Sequence, residues 1–287
     1  SRHRVLAVVT KSDRISGRGL KEKPTPVKLF VDDFAPETQV ILPQKLKDRG
    51  FHDQLRALNA DLFVVASFPI MPKALVNIPP QGCLNLHPSL LPKYRGAAPI
   101  QWTLYNGETM TGVSTFFIGG KIDAGNILLQ REVPVLPEDN FLQLHNRLAA
   151  AGARLVMESL ELVASGDFNT SPQDESQATP APKVKPQDMR IDWNRPAEEI
   201  HNQIRAFSPY PAAYTFWEGK RLKVMQSKIV AGVTFPPGMG KCLKNQLIVG
   251  CGDELNLELK ELQMEGKRCM PCQDFVCGIR KDSLKFE

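Results

Sequence analysis

Apolar positions fall into different patterns along the chain. In the first half they form short unbroken runs, Val5–Val9 and Leu62–Ala66, as in strands covered on both faces of a parallel sheet. Cys83-Leu-Asn-Leu-His87 alternates instead, and Pro88 and Pro92 forbid a continuing ladder, so a strand is predicted to end at His87. A helix closed by glycine is predicted over 96–107, a strand over 112–118, a Gly-flanked loop over 119–125 and a further strand over 127–133. From Asp139 onward, Leu142, His145, Leu148, Ala149, Gly152, Leu155, Val156 and Leu160 recur at helical spacing, with Asp139 or Asn140 available as the cap. The segment 165–188 then turns rich in Pro, Ser, Gln and Asp, which predicts an extended connection with little core of its own. Beyond a short helix over 198–207, the pattern breaks into pieces such as Arg221–Met225, Gln246–Val249 and Leu255–Leu259, separated by Gly and Pro turns. That predicts a small barrel. The organisation expected is an α/β domain over 1–164, a linker over 165–189 and a second domain over 190–287.

Composition narrows the class. A chain of 287 residues with 42% hydrophobic and 23% charged residues has the make-up of a globular protein, with material for two domains. No apolar run reaches membrane-spanning length and no secretory signal precedes Val5, so a soluble protein of the cell interior is expected, with no membrane partner. Ser1 is not a methionine and a strand follows almost at once, so the chain is expected to begin partway into its fold. The net charge of +5 permits a polyanionic partner without requiring one. The six cysteines, Cys83, Cys242, Cys251, Cys269, Cys272 and Cys277, are expected to be reduced. Cys269-Met-Pro-Cys272 has metal-ligand spacing but no second pair and no following histidine, so these cysteines are read as small buried hydrophobes and no metal is expected.

Chemistry gathers at one strand end. Asn85 and His87 lie two residues apart, which sends both side chains to the same face, and ligands bind open α/β sheets at strand ends. An amide and an imidazole there suit a developing oxyanion. Asp123, in the Gly-flanked loop, suits a proton acceptor or an orienter of the imidazole. Taken singly, each has an ordinary structural explanation: a hydrogen-bonding residue at a strand end, or a turn aspartate.

The longer string Gly82-Cys-Leu-Asn-Leu-His-Pro-Ser-Leu-Leu-Pro-Lys-Tyr-Arg-Gly-Ala-Ala-Pro-Ile100, with Thr111-Gly-Val113 and Ile122-Asp-Ala-Gly125, resembles the folate-dependent formyltransferase family. Asp13–Gly19, Pro24–Lys28, Arg190–Trp193 and Ile204–Pro211 extend the likeness to its tRNA-acting members. The resemblance implies a Rossmann-like formyltransferase domain with a mostly parallel sheet and a C-terminal OB-like β-barrel. It also implies a further N-terminal strand and helix that are not found here. The activity implied is formyl transfer from 10-formyltetrahydrofolate, as co-substrate, to the α-amine of methionine on initiator tRNA, by a monomer in a bacterial-like cytoplasm or an organelle. The family's catalytic triplet falls on Asn85, His87 and Asp123. Its folate contacts fall on Ser89, Leu90, Leu91 and Pro92 and on the segment holding Phe68, Ile70 and Met71, where Phe68-Pro69 replaces the commoner Tyr-Gly. Its tRNA contacts fall on Arg18, with Lys183 and Lys185 in the linker. Relatives using water, a glycinamide nucleotide or an amino-sugar nucleotide as acceptor, and a catalytically dead tRNA-binding module, are the alternatives.

Overall fold

The structure, a computed structural model, describes residues 3–12, 14–16, 21–279 and 281–287. The chain packs as two compact units. One comprises Ser1–His87, Thr115–Leu129 and Val156–Gln173; the other comprises Pro88–Ser114, Gln130–Leu155 and Asp174–Glu287.

In the first unit, β1 (Ala7–Val9), α1 (Pro26–Phe34), β2 (Gln39–Ile41), α2 (Arg49–Ala57), β3 (Phe63–Ala66) and β4 (Cys83–His87) follow in order. Strands β1 and β2 pair in parallel, as do β3 and β4. Both helices begin where their sequences provide a cap: the Thr25 hydroxyl accepts the Lys28 N–H, with Pro26 in the first turn, and the Asp48 carboxylate accepts the Phe51 N–H. The core behind them is Ile41, Phe51, Leu55 and Leu75, with Val9, Phe63 and Met71 packed against it.

After α3 (Pro99–Tyr105), β5 (Met110–Phe117) and β6 (Ile127–Pro134) extend the sheet to the order β3-β4-β5-β6. The helix is shorter at its start than the expected 96–107, because Gly96 instead pairs in parallel with Ala181. A Cβ on Gly96 would lie 2.6 Å from the Ala181 carbonyl oxygen and its φ is +127°, so only glycine fits. This pairing also ties segment 165–188, which is otherwise extended and has little core of its own, into the fold. Ala181 is fully buried, and Thr179 accepts the Tyr94 N–H through its hydroxyl, so part of the connection is built into the fold.

Helix α4 (Phe141–Ser165) starts at a reciprocal cap in which Asn140 and Gln143 each accept the other's backbone N–H through the side chain. Its buried face runs through Leu144, Leu148, Leu155, Ser159 and Val163, while Leu142 and His145 are exposed. The apolar surface of this helix is broad, so spacing alone left its rotational phase undetermined. Burial favours the neutral form of Asp139, but the Arg147 guanidinium and the Leu136 N–H outweigh it and hold the carboxyl below its usual range.

In the second unit, α5 (Ala197–Phe207) precedes β7 (Ala213–Trp217), β8 (Lys220–Val230), β9 (Met239–Leu243), β10 (Gln246–Gly250), β11 (Asn256–Met264) and β12 (Ser283–Lys285). These strands form an antiparallel sheet in the order β7-β8-β11-β10-β9-β12. Backbone bonds between Phe216 and Glu287 bring the far edge back to β7, giving the OB-like curl. A bulge in β8 makes that curvature possible: its buried positions run Leu222 and Val224, then shift phase to Ser227 after the register slips. Cys251 and Cys272 are buried here, but Cys269 and Cys277 are exposed, contrary to the expectation of a buried set. No helix among the described residues is long and apolar enough to cross a membrane.

Candidate functional site

Strand alternation builds the first half of the site. Leu84 packs to one side of β4 with Leu128 and Val163, which leaves Asn85 and His87 on the other. His87 is the last residue of the strand and is buried. The loop after β5 supplies the second half. Asp123 Oδ2 lies 3.8 Å from His87 Nδ1, too far for a direct hydrogen bond and close enough for an electrostatic contact with a protonated ring. The sequence-predicted pair therefore meets within one compact unit, with Asn85 on the adjoining turn of the pleat.

Asp123 sits at φ +49°, a left-handed conformation that aspartate tolerates better than most residues. Gly125 beside it is forced by packing: a Cβ there would lie 1.7 Å from the Phe117 carbonyl oxygen. The Gln173 amide donates to the carbonyls of Asp123 and Gly125 at 2.9 and 2.8 Å. Nothing in the pattern around Gln173, within the Pro- and Ser-rich stretch, marks it as part of a site. It is visible only in three dimensions.

Of the other predicted contacts in this unit, Ile70 is exposed, Phe68 is half-buried, and Met71 packs partly against the core. Burial pushes the Cys83 thiol up to about 12, so it stays protonated near neutral pH and is no nucleophile.

The Ser89–Pro92 turn belongs to the second unit and is held by a buried network. Ser114 Oγ donates to the Ser89 carbonyl at 2.7 Å and accepts from the Leu91 N–H at 3.1 Å and from Gln130 Nε2 at 2.8 Å. Gln130 Nε2 also donates to the Leu91 carbonyl. One hydroxyl thus uses its donor and both acceptor sites. Ser114→Ala is expected to destabilise the protein by about 1–3 kcal/mol, because it strands these groups in a buried place. A melting curve unchanged from wild type would contradict that. Leu91 and Ser89 are themselves buried, and the Ser89 hydroxyl donates to the Lys93 carbonyl at 2.6 Å.

Tyr94, in the same string, donates to Glu108 at 2.6 Å and accepts from Asn106. Burial, reinforced by that carboxylate, pushes its phenol up to about 12. Arg95 makes a bidentate pair with Glu175. Much of the Lys93–Gly96 motif is therefore architecture. Lys183 and Lys185 are exposed, as a polyanion contact requires, and Arg18 lies outside the described residues. Among the described residues, no group of three or more His, Cys, Asp and Glu side chains is arranged to hold a metal ion.

Residues 1–160 match the family model described as formyl transferase, and residues 183–280 match that of the formyl transferase C-terminal domain. The chain is 41% identical over 278 residues to the methionyl-tRNA formyltransferase of Geobacter sulfurreducens, covering 96% of this chain and 86% of that protein. It is 42% identical over 283 residues to that of Koribacter versatilis, covering 98% and 90%. Among solved structures, HypX from Aquifex aeolicus in complex with tetrahydrofolic acid superposes with a TM-score of 0.65 at 19% identity, over 87% of this chain. This chain spans 44% of that longer protein, and the likeness is one of fold.

Proposed function

The chain belongs to the formyl transferase family, among its methionyl-tRNA formyltransferases, and from that premise we propose how its own residues carry the transfer. The acceptor is the α-amine of methionine on initiator tRNA, and the donor is 10-formyltetrahydrofolate. The observation that carries the reading is the buried His87 facing Asp123 at 3.8 Å, with Asn85 on the same side of the strand.

An α-amine titrates near ~8, so about a tenth is already unprotonated and nucleophilic at pH 7 and a modest local shift raises that share. Its nitrogen bonds to the formyl carbon, and the carbonyl electrons move onto oxygen. The Asn85 amide and an N–H of His87 donate to that oxyanion. Asp123 accepts the proton that the new ammonium must lose. The oxyanion's electrons then re-form the carbonyl as the bond from the formyl carbon to the folate nitrogen breaks, and that nitrogen takes up the proton. No covalent bond to the protein is needed. The residues present fit such a donor: the triplet supplies two hydrogen-bond donors and a carboxylate, and Phe68, Ile70 and Met71 supply apolar surface for a pterin ring. Ser89, Leu90, Leu91 and Pro92 are the further folate contacts in this reading.

Catalysis is assigned to residues 1–164, and tRNA binding to an OB-like domain over 190–287 with Lys183 and Lys185 in the 165–189 linker. The family matches over 1–160 and 183–280 support that division. Phosphate contacts by the lysines strengthen tRNA binding and make it weaken as salt rises. Arg18 is assigned to the tRNA acceptor end on its motif. Arg18→Ala is expected to lower formylation of charged initiator tRNA by about tenfold or more and to leave folate binding intact. Lost folate affinity would contradict it.

The reading itself is tested by offering the protein the folate donor with methionyl-tRNA, free methionine, an amino-sugar nucleotide, a glycinamide nucleotide or water. Transfer confined to methionyl-tRNA is expected. Faster transfer to any other acceptor assigns a different substrate, and no transfer at all points to a binding module.

A further inference from the structure

We propose that Gln173 is a positioning residue for the transfer: its side-chain amide clamps the loop that presents Asp123. The inference rests on the catalytic reading of Asp123 above. Gln173 Nε2 donates to the Asp123 carbonyl at 2.9 Å and the Gly125 carbonyl at 2.8 Å, so the two hydrogens of one amide group suffice to bridge both sides of Ala124.

The clamp is one end of a longer strap. Ser171 and Ile127 exchange backbone bonds at 2.8 and 2.9 Å, and the Asn126 amide donates to the Thr170 hydroxyl at 3.4 Å. Residues 170–173 therefore follow the loop from its exit back to Asp123. At the other side of its neck, the Phe117 N–H donates to the Asn126 carbonyl.

Two features make the loop depend on this outside support. Asp123 occupies a left-handed conformation that costs a non-glycine residue roughly 1–2 kcal/mol. Gly119 and Gly120 also precede it, residues that give the backbone wide conformational freedom. The clamp grips main-chain oxygens and leaves the Asp123 carboxylate to face His87. Its effect is therefore on where the carboxylate stands, and a displacement of about 1 Å at a reacting group costs on the order of 100-fold.

The test uses Gln173→Met, which keeps the length and bulk of the side chain and removes its amide, donors and acceptor together. Its kcat for formyl transfer is expected to fall by about 10- to 100-fold, with KM for tRNA and for the folate donor within about twofold. A residue that only stiffens the fold would lower melting temperature without this split. In an Asp123→Asn background, the same change is expected to cost no more than about twofold further, because the group it positions is already gone. If Gln173→Met fails to fold, Gln173→Asn replaces it, since an amide one methylene short cannot reach both carbonyls, and the same loss of kcat is expected. Equal losses in both backgrounds, or a wild-type kcat in the Gln173 variant, would overturn the inference alone. A wild-type kcat for Asp123→Asn would overturn the catalytic reading of Asp123, and this inference with it.

Discussion

Replacing His87 with alanine should lower kcat for formyl transfer by about 10²- to 10⁴-fold while changing the dissociation constants for tRNA and folate by less than about threefold. The expectation follows from where the ring lies. His87 is the terminal residue of β4, buried, on the face that strand alternation assigns to Asn85, and 3.8 Å from a carboxylate. A buried donor aimed at a developing negative charge acts in a medium of low dielectric, where its effect on the transition state exceeds its effect on the ground state. The loss should therefore appear in the chemical step. Single-turnover formylation with enzyme in excess measures that step directly. A variant that binds both substrates poorly but reacts at the wild-type rate once saturated would assign His87 to binding instead.

The second large effect is expected from the smallest change. Gly125→Ala adds one methyl group to the loop that carries Asp123, and that methyl would sit 1.7 Å from the Phe117 carbonyl oxygen, a backbone atom at the end of β5. Neither side can yield locally, so the loop must move away from the strand. Overpacking of this kind costs about 1–3 kcal/mol, and moving Asp123 with the loop should lower kcat by about 100-fold or more. Gly120→Ala is the matched control: a Cβ there meets nothing within 4 Å, and near-wild-type activity is expected. Thermal melting and kcat measured on both variants check the pair. A Gly125→Ala protein with unaltered kcat would mean that the loop tolerates displacement and that Asp123 has no fixed place in the reaction.

What could be read from the sequence and what could not divide along physical lines. The strand ending at His87 was legible because alternation and two prolines act on neighbouring residues, and the long helix was legible because a periodic pattern over many residues cannot belong to a strand. The buried face of that helix was not, since Leu142 and Leu144 are equally apolar and only packing separates them. The triplet was legible as a motif, but its closure is a tertiary fact: 36 positions separate His87 from Asp123 in the chain, and 3.8 Å separate their side chains. The supporting groups were illegible for a common reason. Ser114, Gln130 and Gln173 act by hydrogen-bonding backbone atoms of distant segments, and a polar residue doing this looks in sequence like any other. Segment 165–188 has the little core its composition predicts, and its two ties to the fold, Ala181 and the Gln173 clamp, were hidden for the same reason.

The geometry of the transfer is measured most directly by a crystal structure of this protein with a non-transferring folate that carries a formyl group, such as 5-formyltetrahydrofolate. The formyl oxygen is expected within about 3 Å of an Asn85 or His87 donor, and the Asp123 carboxylate on the side from which the amine must approach. A formyl group bound out of reach of all three residues, in a protein that still formylates methionyl-tRNA, would contradict that geometry.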